Sequence, residues 1–319
     1  MIAIILRILA TFLMIGVGFL ARRKGQITNE TTRQLSHLLT TFFYPALIFT
    51  SMTRNFDLQS LGKYWVLPVG GFAIMLLGFC LGIIIEKCIH KPTPGSENAF
   101  LFQCTINNYS FLPLPIALML WGEDIGLPGI IFTSLGSEIA LWTLGLFAIS
   151  GRRVNAASLK RIVSPPLITI AVSIAWIVMR DTLPSSLMGF LMQSALSKPS
   201  EAVIDAMRML GSATIPIAMV MAGSRMAGLH PKHLFSTDKN IVAALRLVVV
   251  PGLVVAVLSV LPISHEIRRT LLLVATMPSA VASVIFAELY NEDAEFAAAC
   301  ILLTHILCIP TIPLWMLLA

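Results

Sequence analysis

The residues of this chain best suited to chemistry lie in Thr105-Ile106-Asn107-Asn108-Tyr109-Ser110-Phe111-Leu112-Pro113-Leu114-Pro115, where two adjacent amides precede two prolines inside an apolar run. Amides at membrane depth are costly unless partnered. The prolines remove backbone donors and block the helical ring closure a turn earlier. Together they predict a helix broken in the bilayer, with side-chain amides and free backbone groups at the break. The ends of such half-helices carry partial charge, which suits an ion or a carboxylate. The same residues also fit a packing kink whose amides bond to a neighbouring helix.

A second, gentler break is expected in Thr276-Met277-Pro278-Ser279-Ala280-Val281-Ala282-Ser283, where one proline and small hydroxyl and methyl side chains would let another backbone approach. An ordinary packing face of small residues fits that segment equally well. Substrate contacts are therefore sought at Asn107, Asn108, Pro113, Pro115, Pro278, Ser279 and Ser283. Glu138, in Leu135-Gly136-Ser137-Glu138-Ile139, is the acid set deepest in an apolar run, and His305 is a histidine in another. A carboxyl there is protonated, paired or facing water. Glu138 and His305 are the candidates for proton or cation coupling; each also fits a packed hydrogen-bonding role. Asp205 and Arg208 are spaced to pair on one helix face, and Arg246 is expected to snorkel to the membrane surface. The five cysteines form no CxxC and read as small apolar filler, with no metal site and no cofactor implied. HExxH, GxxxxGK[ST] and GxSxG are all absent, so no enzyme is expected.

The elements that must hold these residues are helices in lipid. Of the 319 residues 57% are hydrophobic and 12% charged, against about 45–50% and about 25% in soluble domains. Ten apolar spans are expected, at Ile2–Ala21, Leu35–Thr53, Trp65–Ile85, Asn98–Leu120, Leu127–Ser150, Ile162–Met179, Val203–Met226, Ile241–Leu261, Arg269–Ala287 and Phe296–Leu318. Arg22-Arg23-Lys24 directly follow the first, so it reads as a retained helix, not a cleaved signal. The net charge of +6 sits in short loops and sets topology; nothing points to nucleic acid. Twelve basic residues fall on one set of alternate loops and six on the other, which puts both termini outside the cytoplasmic membrane.

The halves also look alike. Tyr44–Phe49 resembles Ile215–Val220, and the same offset of 171 brings Thr105 onto Thr276. Five spans per half is an odd number, so the second half enters the membrane inverted, the plan of many secondary transporters. The fold class expected is an all-α integral membrane protein: two inverted five-helix repeats, residues 1–151 and 152–319, with broken crossover helices four and nine.

These segments resemble, along nearly the whole chain, the auxin efflux carrier family, whose bacterial branch includes malonate-type permeases. The resemblance is carried by Gly18-Phe19-Leu20-Ala21 to Gly25, by Phe43–Phe49, by Asn108 seven residues before Pro115, and by Met277-Pro278 through Phe286–Asn291 to Ile309-Pro310. It implies a scaffold from helices one, two, six and seven, usually dimeric. It also implies a mobile transport domain from helices three to five and eight to ten, and a substrate carboxylate at Asn108. Two positions depart from the plant members. Ser283 stands where they carry the ninth-helix crossover proline, and Ser164-Pro165-Pro166 stands where they open helix six with Asn-Pro-Asn. The long cytoplasmic loop of many plant carriers is also missing. The expected function is secondary transport of a small mono- or dicarboxylate by an elevator-type homodimer in membrane lipid, with H+ or Na+ as the coupling ion. A sodium-coupled carrier of the related bile-acid symporter fold is the alternative. An intramembrane enzyme would need Glu138 and His305 to meet.

Overall fold

The computed structural model describes residues 2–90, 92–151, 164–184, 198–228 and 234–318. Lys91, most of the basic loop 151–161 and the His230-Pro231-Lys232 turn lie outside the described residues. The described chain is helical apart from turns and one isolated backbone bridge.

The first helix, α1, runs Ile2–Arg23 and ends on two arginines that suit its negative C-terminal end. The next, α2 (Asn29–Leu38), is started by Thr28, whose hydroxyl accepts from the Thr31 N–H. It continues through a π turn at Leu39–Phe43 into α3 (Tyr44–Asn55). A short helix, α4 (Leu58–Tyr64), opens with an Asp57–Ser60 capping box and leads to α5 (Val66–Ile84) and a π turn at Ile85–Ile89. Then come α6 (Glu97–Thr105) and α7 (Pro113–Trp121), followed by α8 (Glu123–Ala140), a π turn at Leu141–Gly145, and α9 (Leu146–Ile149). Ser164 caps α10 (Pro165–Thr182), and α11 spans Lys198–Gly228. Ser236 caps α12 (Thr237–Ala244), which passes through a π turn at Leu245–Val249 into α13 (Val250–Val260). Last are α14 (His265–Ala275), α15 (Ser283–Leu289) and α16 (Ala294–Met316).

Among the described residues six continuous helical stretches are long and apolar enough to cross a membrane: 29–55, 58–88, 123–149, 201–228, 237–260 and 294–316. Their outward faces carry large apolar side chains such as Met209 and Val260, exposed by 74% and 79%. Lipid, not water, is the solvent that tolerates them, and this is a multi-pass membrane protein. The spans expected at Asn98–Leu120 and Arg269–Ala287 are each split into two short helices, and the acids Glu123 and Asp124 open α8 instead of lying in a loop.

Helices α1 and α11 touch backbone to backbone in both directions. A methyl group placed on Gly18 of α1 would lie 1.8 Å from the Val220 carbonyl oxygen of α11, and one on Gly223 of α11 would lie 1.8 Å from that of Ile15. The same reciprocity joins α5 to α8, where Gly136 faces the Pro68 oxygen at 1.7 Å and Gly71 the Thr133 oxygen at 2.4 Å. Small residues make such close crossings possible in lipid.

Proline chemistry explains one π turn. Pro251 has no N–H to offer Leu247, and the indole N–H of Trp315 donates to that freed oxygen instead, at 2.7 Å. Arg246, in the same turn, corrects an expectation. It does not snorkel; it is 0% exposed, held with its Nη1 donating to the Cys104 oxygen at 3.2 Å. Asp205 and Arg208 pair at 3.2 Å on the exposed face of α11. All five cysteines are free.

Candidate functional site

The first break follows from Pro113 and Pro115, which cannot donate to the carbonyls of Tyr109 and Phe111. Helix α6 therefore stops at Thr105, Ile106 is extended, and α7 begins at Pro113. The second runs from the end of α14 at Ala275 to the start of α15 at Ser283, with Pro278 inside it. The two breaks cross each other as a single antiparallel backbone bridge pairing Asn107 with Ser279. The Asn108 N–H donates to the Pro278 oxygen at 2.8 Å, and the Ala280 N–H to the Ile106 oxygen at 3.4 Å.

Side chains finish the joint. Asn107 donates its amide to the Val274 oxygen at 2.6 Å, at the carbonyl end of α14. The Ser279 N–H donates to the Thr304 hydroxyl at 3.2 Å. Gln103 donates to the Ser283 hydroxyl at 2.8 Å, and Ser283 in turn to the Ala280 oxygen at 2.7 Å. Backbone left unpaired by the breaks is thus largely satisfied within the protein, the condition for non-helical chain at membrane depth.

A cavity of about 390 Å³ lies against this crossing. One wall is the crossing itself, including Asn107, Asn108, Ser110 and Ser283. The facing wall comes from α2 and α11 and brings three basic side chains, Arg33, His37 and Arg225; among the described residues no aspartate or glutamate lines the cavity. Arg225 is half-buried and donates from Nη2 to the Ser36 hydroxyl at 2.6 Å, with no carboxylate in ion-pair range among the described residues. Arg33 shares its charge with Glu30 at 2.7 Å. Asn108, 7% exposed, accepts from the Leu112 N–H at 3.4 Å through Oδ1, which leaves its two amide hydrogens for a ligand oxygen. Phe102 and Phe286, with ring centres 5.4 Å apart, supply apolar lining.

Of the residues singled out in the sequence, Asn107, Asn108 and Ser283 line the cavity. Pro113, Pro115, Pro278 and Ser279 shape the crossing without lining it. Glu138 also stands outside the cavity wall. Its carboxylate accepts hydrogen bonds from the Tyr109 hydroxyl, from the Trp142 indole N–H at 3.0 Å and from the Ser164 hydroxyl at 3.2 Å. It thereby holds Tyr109, the neighbour of Asn108, and ties it to the start of α10. His305 is 1% exposed; Nδ1 lies 2.8 Å from the Ile301 oxygen and Nε2 has no partner. It makes no bond to Glu138. The basic wall escaped the sequence reading, because Arg33 and Arg225 sit at ends of apolar runs where topology-setting charge is the ordinary explanation. Among the described residues no group of three or more His, Cys, Asp or Glu side chains is placed to hold a metal ion.

The chain matches a family of membrane transport proteins over residues 3–158 and 152–316. It is 26% identical over 315 residues to an uncharacterised transporter of Methanocaldococcus jannaschii, covering 97% of this chain and 96% of that one. It is 23% identical over 312 residues to an uncharacterised transporter of Methanothermobacter thermautotrophicus, with the same coverage. A shorter similarity, 29% over 113 residues, covers 35% of this chain and 24% of the PIN-LIKES 1 protein of Arabidopsis thaliana.

Proposed function

Since the chain belongs to the auxin efflux carrier family of membrane transport proteins, we propose that it is a secondary transporter of small organic anions, mono- or dicarboxylates, across the cytoplasmic membrane. One observation carries this reading: among the described residues the cavity at the crossing has three basic side chains and two amides on its walls and no acid. A carboxylate finds neutral donors at Asn108 and positive charge at Arg225. Neutral amide donors bind an anion without adding a permanent charge to the crossing.

The carrier works as an elevator. Helices α1, α2, α3, α10 and α11 form a fixed scaffold, dimeric in the membrane. Helices α5 to α9 and α12 to α16 move as one body, carrying the crossing and its ligand. The two reciprocal glycine crossings support this division, since α1–α11 lies within the scaffold and α5–α8 within the moving body. The cavity between the crossing and α2–α11 lies at the boundary. The halves 1–151 and 152–319 are inverted repeats, a reading supported by the broken segment, which stands fourth in both. Both termini are extracytoplasmic.

The test is a melting screen of the purified protein against acetate, lactate, malonate and succinate. A carboxylate at 100 times its dissociation constant stabilises the fold by about 2.7 kcal/mol. Asn108→Ala should weaken that binding by about 1.5–3 kcal/mol, the worth of a hydrogen bond to a charged group, while the apo protein melts as a folded species. A wild-type protein that none of the four stabilises, or an Asn108→Ala variant that responds as wild type does, overturns the assignment.

A further inference from the structure

The cavity leaves one charged group unused. Arg246 is fully buried, away from the cavity wall, in the π turn between α12 and α13. Its Nη1 donates to the Cys104 oxygen in the last turn of α6, while Nε and Nη2 have no partner among the described residues. No carboxylate lies within ion-pair range of it among the described residues. Room is made for it by Gly78 of α5, where a methyl group would lie 2.3 Å from the Cys104 oxygen and 3.0 Å from Arg246 Nη1.

A buried guanidinium without an acid beside it is expensive. It persists where other groups supply negative potential, and this place does. Helix α6 ends within one residue of Cys104, and the last carbonyls of a helix carry its partial negative charge. Carbonyl ends of half-helices are the surroundings in which carriers coordinate a sodium ion. Here a side chain of the protein occupies that position, and a guanidinium does not release its proton at physiological pH.

We infer that Arg246 is a built-in cation: it permanently fills the place at the carbonyl end of α6 where an exchangeable sodium ion would bind, so the crossing is assembled without sodium. The inference goes beyond the transport proposal and holds whichever anion is carried, because its test uses no carboxylate.

Sodium chloride is titrated against choline chloride at constant ionic strength, and the melting temperature of the purified full-length protein is followed. Wild type and Arg246→Lys should give flat curves. Arg246→Ala should melt lower. Saturating sodium, or sub-denaturing guanidinium chloride, should raise that variant by roughly 2–4 °C by filling the vacated place, while choline does nothing. A saturable sodium response in the wild type overturns the inference, and so does a folded Arg246→Ala protein blind to both cations. If Arg246→Ala does not fold, the other two titrations decide: flat curves in both sustain the inference, and a sodium response in either overturns it.

Discussion

Removing the Glu138 carboxylate should uncouple Tyr109 from the rest of the protein by a measurable amount. Three donors converge on it: Trp142 and Ser164 on Oε1, Tyr109 on Oε2. A hydrogen bond to a charged group contributes about 1.5–3 kcal/mol, against about 0.5–1.5 kcal/mol between neutral groups. Glu138→Gln can keep its oxygen toward Trp142 and Ser164 and turn its amide to Tyr109, whose hydroxyl rotates to accept. Only the charge assistance is then lost, and the variant should be less stable by about 1 kcal/mol. Glu138→Ala strands all three donors and should cost about 3 kcal/mol or more. Tyr109→Phe alone should cost about 1.5–3 kcal/mol, and close to nothing once Glu138 is alanine. Reversible unfolding in detergent of the four proteins of this cycle measures the coupling. A coupling energy near zero would refute the claim that Glu138 positions the residue beside Asn108.

The close crossing of α5 and α8 makes Gly136→Ala a strong perturbation. The new methyl would start 1.7 Å from the Pro68 oxygen, where carbon–oxygen contacts normally begin at about 3.3 Å, so the helices must part and stability should fall by about 1–3 kcal/mol or more. Gly16→Ala, with nothing within 4 Å, should leave the melting temperature unchanged or raise it. Outside the membrane, Asp181 is held below the ordinary carboxylate range by its bond to Arg180 and by the Leu58 N–H at 2.7 Å. Its contribution is therefore present above the unfolded value near 3.8 and is lost as pH falls through the lower folded value. A melting curve taken against pH should show a smaller acid-side loss in Asp181→Asn than in wild type.

The break in the fourth segment was readable from Asn107 to Pro115 because proline acts on its own helix, over a distance that a sequence displays. The ninth was fainter, with Pro278 alone to mark it, and its limits at Ala275 and Ser283 depend on partners such as Thr304 from another helix. Membrane class and the six continuous spans followed from run length and composition. The basic wall did not, since Arg33 and Arg225 are 192 positions apart and meet only when α2 packs on α11. Arg246 was misread for a related reason: a helical pattern tells which face a residue occupies, not whether a neighbour's carbonyl waits there. Glu138 was legible as a deep acid, but its three donors come from separate stretches of chain, and their convergence needed the fold.

The joint between the two breaks is made by main-chain atoms, the Asn108 N–H on the Pro278 oxygen and the Ala280 N–H on the Ile106 oxygen. These two bonds ask nothing of the proline but a carbonyl, and nothing of the Asn108 or Ala280 side chains. Residues around it that face the cavity, such as Asn108, Ser110 and Val281, are thus spared the task of holding the crossing together. A lineage can exchange them, and so alter what the cavity accepts, while the crossing keeps its shape; the lining and the joint are free to evolve at different speeds.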